Sequence, residues 1–308
     1  MTKNQKLLII KNKTMYIILG KNGYIAEAII KELKSRDLPH VALSRTDVDY
    51  TNMQIFEHWL SNNAYKKTVA HHNISIINCA GYIGKPNVDA CELNKADTVE
   101  GNVIFPAMLS QLCANKGYLY THISSGCIYG GYSKDFTEED APNFDFQNGS
   151  FYSGTKALAE KIVKQNNSNS YIFRLRIPFD EFESPRNFLT KLLTYDTLLD
   201  ARNSLSHRAD FAKYTIDLIE QKVPFGIYNV TNKGSVTTKE VVELMKEHLK
   251  PNKEFKFFSK LDNFMQEVTA PRSNCVLDTS KIEQYIPIRT AQEALKDALS
   301  KYEFLLTR

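Results

Sequence analysis

Ser125, Cys127, Tyr152 and Lys156 place a hydroxyl, a thiol, a phenol and an amine in one stretch of the chain. Tyr152 and Lys156 are four residues apart, so on a helix they share a face, one turn above the other. A free phenol titrates near ~10 and is a poor acid or base at neutral pH. A neighbouring ammonium favours the phenolate, and a drop of about 3 pH units corresponds to roughly 4 kcal/mol. Lys156 is the expected source, helped by the positive ring of an oxidised nicotinamide. Ser125, closing the preceding apolar run, is placed to hold a substrate oxygen against Tyr152, so that the set polarises a carbonyl while a hydride arrives. A lone Tyr-x-x-x-Lys is ordinarily a surface-helix pair. Here it follows a strand ending in Ser124-Ser125, downstream of a nucleotide fingerprint, and that context favours chemistry.

The fingerprint lies near the start. Residues 14–19 form a short apolar β run that stops at Gly20-Lys21-Asn22-Gly23-Tyr24-Ile25-Ala26, and residues 28–33 continue with helical periodicity. Strand, glycine turn and helix follow in the dinucleotide-binding order. Gly20 permits the tight turn, Gly23 lets the backbone approach a pyrophosphate, and Ala26 keeps the helix close to the sheet. The phosphates then sit on the helix N-terminus, with Tyr24 and Ile25 as contacts. A second strand, 40–43, ends at Ser44-Arg45-Thr46. A carboxylate there would suit a ribose 2′-hydroxyl, whereas Ser44 and Arg45 suit a 2′-phosphate, so NADPH is expected over NADH. Asp49 is a candidate for the adenine amino group, with a plain cap for a helix over 54–59 as the alternative.

The buried strand 74–79 leads into Cys79-Ala80-Gly81-Tyr82, the small-residue turn needed where backbone passes a cofactor ribose. His71 and His72 before it read as loop residues. A long helix over 93–116 carries Asn102 on one face, and a strand over 118–124 follows. Pro178, after the strand 171–176, completes the expected cofactor contacts. These units alternate as an α/β, Rossmann-type doubly wound parallel sheet should. Residues 1–13 are expected to be a flexible leader, 14–176 the NADP-binding domain, and 177–308 mainly a smaller C-terminal substrate-binding lobe, some of whose segments return to the first domain. In that lobe, helices are expected over 185–199, 239–249 and 291–304, with a strand over 226–230. The substrate should lie between the lobes.

With 43% hydrophobic residues in 308, the chain can bury a large core. Its formal charge of +4 is scattered among carboxylates instead of gathered in a stripe, which argues against a nucleic-acid partner. Five cysteines form no C-x-x-C pair and no cluster with zinc spacing, so no metal is expected, and the thiols read as reduced in a cytoplasmic compartment. No run approaches the ~20 apolar residues of a membrane span.

The glycine turn, Ser125 and Tyr152-x-x-x-Lys156 resemble the extended short-chain dehydrogenase/reductase superfamily. Five segments narrow the match: Gly84-Lys85-Pro86-Asn87-Val88-Asp89, Ser125-Gly126-Cys127-Ile128, Glu138-Glu139-Asp140-x-Pro142-Asn143-Phe144, Pro185-Arg186-Asn187-Phe188-x-Thr190-Lys191 and Ala270-Pro271-Arg272-Ser273-Asn274. They resemble the bifunctional UDP-4-keto-6-deoxy-glucose 3,5-epimerase/4-reductases of UDP-rhamnose synthesis, over roughly residues 14 to 300. The resemblance implies that Cys127 and Lys191 serve epimerisation and that Tyr152 and Lys156 serve reduction. It implies a nucleotide-sugar substrate and a homodimer built on the two long helices. Ser125 stands where the plant enzymes carry threonine, and Lys85 where they carry arginine, which removes a bidentate fork. Lys85, Asn187 and Arg272 are the candidates for gripping substrate, Arg272 for the diphosphate.

Carbonyl chemistry orders the steps. A ketone at sugar carbon 4 acidifies the hydrogens on carbons 3 and 5, and inverting each centre needs a base on one face and an acid on the other. Reduction destroys that ketone, so epimerisation must come first. Two alternatives stand beside this reading: a reductase alone, as in dTDP-4-dehydrorhamnose reductase, and a non-catalytic NADP-binding subunit. Intact Ser125, Tyr152 and Lys156 argue against the latter.

Overall fold

The computed structural model describes residues 14–64, 74–85, 87–259, 263–264 and 266–302. The expected leader and the two loop histidines, His71 and His72, lie outside the described residues. β1 (Met15–Leu19) is buried along its whole length because both its faces are covered. Tyr16 and Ile18 pack into one core, Ile17 and Leu19 into another. Strands covered on both faces read as continuous apolar runs, as β1 does. Five more strands join it: β2 (His40–Leu43), β3 (Ile74–Asn78), β4 (Leu119–Ser125), β5 (Ser170–Leu175) and β6 (Gly226–Asn229). All pair in parallel, in the order β6-β5-β4-β3-β1-β2.

That order decides where a ligand can sit. From β1 the chain goes outward to β2, then returns across β1 to β3, so the carboxyl ends of β1 and β3 diverge into a crevice. Open α/β sheets bind ligands at such a switch point. The longer helices are α1 (Tyr24–Ser35), α2 (Met53–Trp59), α3 (Asp89–Leu93), α4 (Lys95–Val99), α5 (Phe105–Lys116), α6 (Phe151–Asn166), α7 (Phe188–Thr194), α8 (Arg208–Glu220), α9 (Thr238–Leu249) and α10 (Ala291–Ser300), of which α7, α9 and α10 belong to a core separate from the sheet. On one face of the sheet Ala26, Ile29 and Leu33 of α1 pack with Phe211, Ile216 and Ile219 of α8. On the other, Phe56 of α2, Leu109 and Cys113 of α5 and Val163 of α6 share a core.

Several elements differ from the expectation. The helix over 93–116 is divided: α3 ends at Leu93 with Asn94 as its C-cap, α4 follows, and Glu100–Ile104 is a π-turn before α5 begins. Pro106 has no N–H for the carbonyl of Asn102, and proline inside a helix opens its ladder in this way. The helix over 185–199 is only α7, because Thr197–Leu198 pairs with Lys256–Phe257 as a short strand. Asp49 does not cap α2. Asn52 does, accepting from Gln54 and Ile55 N–H, while Asp49 is taken up by Thr51. The third core packs Phe179, Leu189, Leu192, Val241, Met245 and Leu295. Its two longer helices start in capping boxes, Thr237 with Glu240 and Thr290 with Glu293, each of which satisfies two otherwise orphaned N–H groups.

Candidate active site

At the switch point Gly20 has φ +84, and a Cβ there would lie 3.0 Å from the Ala80 nitrogen and 3.1 Å from its Cα. Only glycine allows β1 and the Cys79-Ala80 turn to approach so closely. Gly23 donates its N–H to the Gly20 carbonyl at 2.8 Å and stands at the N-cap of α1, where no side chain caps the helix. The first-turn N–H groups of Tyr24 and Ile25 are therefore left for an anion, and the helix dipole favours negative charge there. This uncapped turn fits the pyrophosphate of a dinucleotide.

Some expected cofactor contacts play other parts. The Tyr24 phenol donates to Asp180 at 2.9 Å, under the Arg208 guanidinium 4.3 Å from its ring, so Tyr24 offers a ligand its backbone and not its hydroxyl. Ser44 donates its hydroxyl to Asp47 at 2.6 Å, and Asp47 also pairs with Lys21 at 2.6 Å. Arg45 is exposed beside them and is left as the cation for a 2′-phosphate, with Lys21 a neighbour that the sequence reading passed over. Asn102, 2% exposed, bonds both ways with the Tyr82 backbone at 2.8 Å and reaches Thr155. It pins the Cys79–Tyr82 turn and does not face a ligand. A Cβ on Gly81 would come within 3.0 Å of its Oδ1. The Cys79 thiol, pushed up to about 12 by burial, stays neutral. Pro178 begins a short strand paired with Ser206–His207. Ile177 before it has φ 38, a strained value for a β-branched residue, at the point where the chain leaves the sheet.

β4 ends at Ser125, whose Oγ accepts the Cys127 N–H at 3.2 Å and caps the 3-10 turn Gly126–Ile128. That local bond is why a hydroxyl and a thiol two residues apart stand together. Burial pushes the Cys127 thiol up, while bonds from Ser125 and Ser153 and the charges of Arg176 and Lys156 pull it down. Ser150 caps α6, and the first turns of that helix carry Tyr152 and Lys156. Burial drives the Tyr152 phenol well above its usual range, with Cys127 and Cys91 adding to the effect. The Lys156 ammonium donates to the Ile123 carbonyl at 3.0 Å, and burial lowers its own pKa. Burial thus works against the phenolate that Lys156 is expected to favour, and holds the Tyr152 phenol toward its protonated form.

Lys191 lies on α7, a helix fixed at both ends. Asn187 caps its start, accepting from Leu189 N–H while its amide donates to Asp180 and Phe182. Lys253 donates to the carbonyls of Leu192, Leu193 and Tyr195 at its finish. Asn187 is fully buried, so it is a positioning group and does not grip substrate. Burial and the Arg272 charge lower the Lys191 pKa, and among the described residues no carboxylate pairs with it. Arg272 forms a two-pronged pair with Asp89 at 2.8 Å, which ties the 270–275 segment to α3 and limits its reach to a diphosphate. Lys85 is exposed. Arg176, missed in the sequence, holds that segment through Ser273. Among the described residues no group of three or more His, Cys, Asp or Glu is placed to hold a metal, and no helix is long and apolar enough to cross a membrane.

Comparison with known proteins agrees with this layout. Residues 14–304 match the RmlD substrate binding domain family. The chain is 35% identical, over 74% of its length and 76% of the other's, to the bifunctional dTDP-4-dehydrorhamnose 3,5-epimerase/dTDP-4-dehydrorhamnose reductase of Arabidopsis thaliana. Its fold superposes with a TM-score of 0.83 on the crystal structure of the L780 UDP-rhamnose synthase from Acanthamoeba polyphaga mimivirus, at 25% identity and covering 94% of this chain and 100% of that one. It also superposes on dTDP-4-dehydrorhamnose reductase from Bacillus anthracis in complex with NADP, with a TM-score of 0.77, at 18% identity and covering 94% and 98% of the two chains. With its fold, its glycine turn and its Ser-Tyr-Lys set all in place, this chain belongs to the RmlD substrate binding domain family.

Proposed function

We propose that this protein reduces a nucleotide-linked 4-keto-6-deoxy sugar with NADPH, after inverting the sugar at carbons 3 and 5, and so forms a UDP-linked 6-deoxy-L-sugar from UDP-4-keto-6-deoxy-D-glucose. The observation that carries the reading is the Cys127 thiol set among the reductive side chains, and the Lys191 environment supports it. Cys127 shares a turn with Ser125 and lies beside Tyr152, and Lys191 is a half-buried lysine with a lowered pKa on a helix held rigid at both ends. A plain reductase needs neither group. The Arabidopsis relative, named for both activities, supports it.

The residues divide the work. Gly20, Gly23 and the uncapped start of α1 would hold the dinucleotide, with Arg45 at its 2′-phosphate. When bound, the reduced nicotinamide supplies the hydride that converts the carbon 4 ketone to an alcohol. Ser125 and Tyr152 donate hydrogen bonds to the ketone oxygen, stabilising the negative charge that develops there in both reactions. Cys127 takes the acidic hydrogen from one face; burial holds its thiol toward the neutral form, and the Arg176 and Lys156 charges offset part of that rise when it acts as the base. Lys191, from the other lobe, returns a proton to the opposite face, and its lowered pKa makes it a ready donor. Tyr152 then gives its proton to the oxygen as the ketone is reduced, the role for which a neutral phenol is suited.

The test is product identity. The protein is incubated with NADPH and either UDP- or dTDP-4-keto-6-deoxy-glucose, and the sugar is read by NMR. An L-rhamno product with NADPH oxidised is expected, faster from the UDP sugar. A 6-deoxy-D product with carbons 3 and 5 unaltered would overturn the epimerase half, and no NADPH oxidation with either sugar would overturn the whole.

A further inference from the structure

β4 carries a buried titratable side chain that none of these steps uses. His122 is 1% exposed. Its Nε2 lies 3.3 Å from Lys156 Nζ and its Nδ1 3.4 Å from the Tyr120 hydroxyl, which takes a hydrogen bond of 3.3 Å from Asn78 Nδ2. An ammonium only donates. Nε2 is therefore the lone-pair side of the ring, and Nδ1–H donates to the Tyr120 oxygen. Asn78, Tyr120, His122 and Lys156 thus form a hydrogen-bonded line from β3 through β4 into α6, ending at the lysine of the reductive set.

We propose that His122 is a positioning residue for Lys156: its neutral imidazole accepts one ammonium N–H, while the Ile123 carbonyl accepts another, so that the lysine stays charged and aimed at the site. The proposal rests on the role given to Lys156 above. Lys156 is 6% exposed, and a buried ammonium that lacks acceptors gives up its proton. The groups facing it are few. Cys127 comes from the 3-10 turn, where it also faces Tyr152, Glu160 from its own helix, and His122 from β4; behind His122 stand Tyr120 and, against that ring, Cys79 and Cys113. Burial pushes Cys127, Tyr152, Tyr120, Cys79 and Cys113 up, so all are held toward their neutral forms. Glu160 is paired with Arg174. Burial and the Lys156 charge hold His122 itself well below its usual range, which keeps its lone pair available.

Two variants separate positioning from packing. In His122→Gln the amide oxygen reaches the place of Nε2 and still accepts from Lys156. In His122→Asn the shorter side chain places its oxygen near Nδ1, toward Tyr120. The full-length protein is labelled with lysine carrying 13C at Cε, and the Lys156 signal is assigned with Lys156→Arg and titrated. Loss of a hydrogen bond to a charged group should lower the midpoint by about 1 to 2 pH units in His122→Asn, with His122→Gln close to wild type. The alkaline limb of kcat for ketone reduction should move down by the same amount in His122→Asn and return in His122→Gln. Equal titration of Lys156 in wild type and His122→Asn, or an equal shift in both variants, would overturn the proposal. The titration needs no turnover, so a wild type that reduced no ketone would sink the functional reading and leave this result standing.

Discussion

Behind Ser125 the structure carries a buried ion pair whose removal has a calculable effect. Arg174 on β5 and Glu160 on α6 have side chains 2% and 5% exposed. Arg174 donates from Nη2 to Glu160 at 2.7 Å and from Nε to both carboxylate oxygens at 3.1 Å. Ser124, next to the site hydroxyl, donates to the same carboxylate at 2.5 Å, and Tyr129 accepts from Arg174 at 3.0 Å. In Glu160→Ala the guanidinium stays buried without its counter-charge, and breaking a buried pair from one side costs about 3 to 5 kcal/mol. For a protein of this length roughly 2 °C is lost per kcal/mol, so the melting temperature should fall by about 6 to 10 °C. Thermal unfolding followed by circular dichroism at neutral pH measures it. Glu160→Leu combined with Arg174→Met, which removes both charges, should recover much of the loss. A single variant within about 2 °C of wild type, or a double variant no better than the single one, would refute the reasoning.

Gly20→Ala must adopt φ +84 and push against Ala80, so it should cost roughly 1 to 2 kcal/mol and weaken NADPH binding in a fluorescence titration; unchanged binding would mean that the turn does not hold the cofactor. Arg45→Ala should raise the Michaelis constant for NADPH by about 10- to 100-fold, the scale of one charge-assisted bond, and leave that for NADH nearly unchanged; a wild type that uses both cofactors equally contradicts the assignment. Lys134 and the Thr137 N–H and hydroxyl hold the Asp140 carboxyl down from 3.8 to about 2. The stability it contributes is present above its unfolded value and is lost as the pH falls through about 2. Melting curves of Asp140→Asn should therefore lie below wild type at neutral pH and fall less steeply in acid; parallel curves at every pH would rule this out.

What was legible in the sequence was what local chemistry and period determine. Gly20 and Gly23 announced a close approach, and the structure supplies its partner, Ala80. Ser125, Tyr152 and Lys156 lie on the strand end and helix start inferred for them. The misreadings arose where a side chain answers to something distant in sequence. Asn187 belongs to a motif suggesting substrate contact, yet Asp180 and Phe182 enclose it. Ser44 was read as a free donor because nothing in the string shows that Asp47 turns back to it. The division of the helix over 93–116 was signalled by Pro106, but hydrophobic period outweighed that signal, whereas the starts of α9 and α10 fall within one residue of where the sequence reading put them. The Arg174–Glu160 pair and the His122 contact join β5 and β4 to α6, and no spacing reveals them, although Glu160 stands one turn beyond Lys156.

The central claim is that proton transfer at carbons 3 and 5 and hydride transfer to carbon 4 use different side chains. The direct measurement is deuterium incorporation from heavy water into UDP-4-keto-6-deoxy-glucose, compared between wild type and Cys127→Ala, beside NADPH oxidation with the pre-epimerised 4-keto-L-rhamnose nucleotide. Wild type should incorporate deuterium at both carbons. Cys127→Ala should incorporate little, with loss of about 10²-fold or more, while it still oxidises NADPH with the pre-epimerised sugar at a rate near wild type. Undiminished exchange in Cys127→Ala, or no exchange in wild type, would contradict the account and leave a 4-ketoreductase with a structural cysteine.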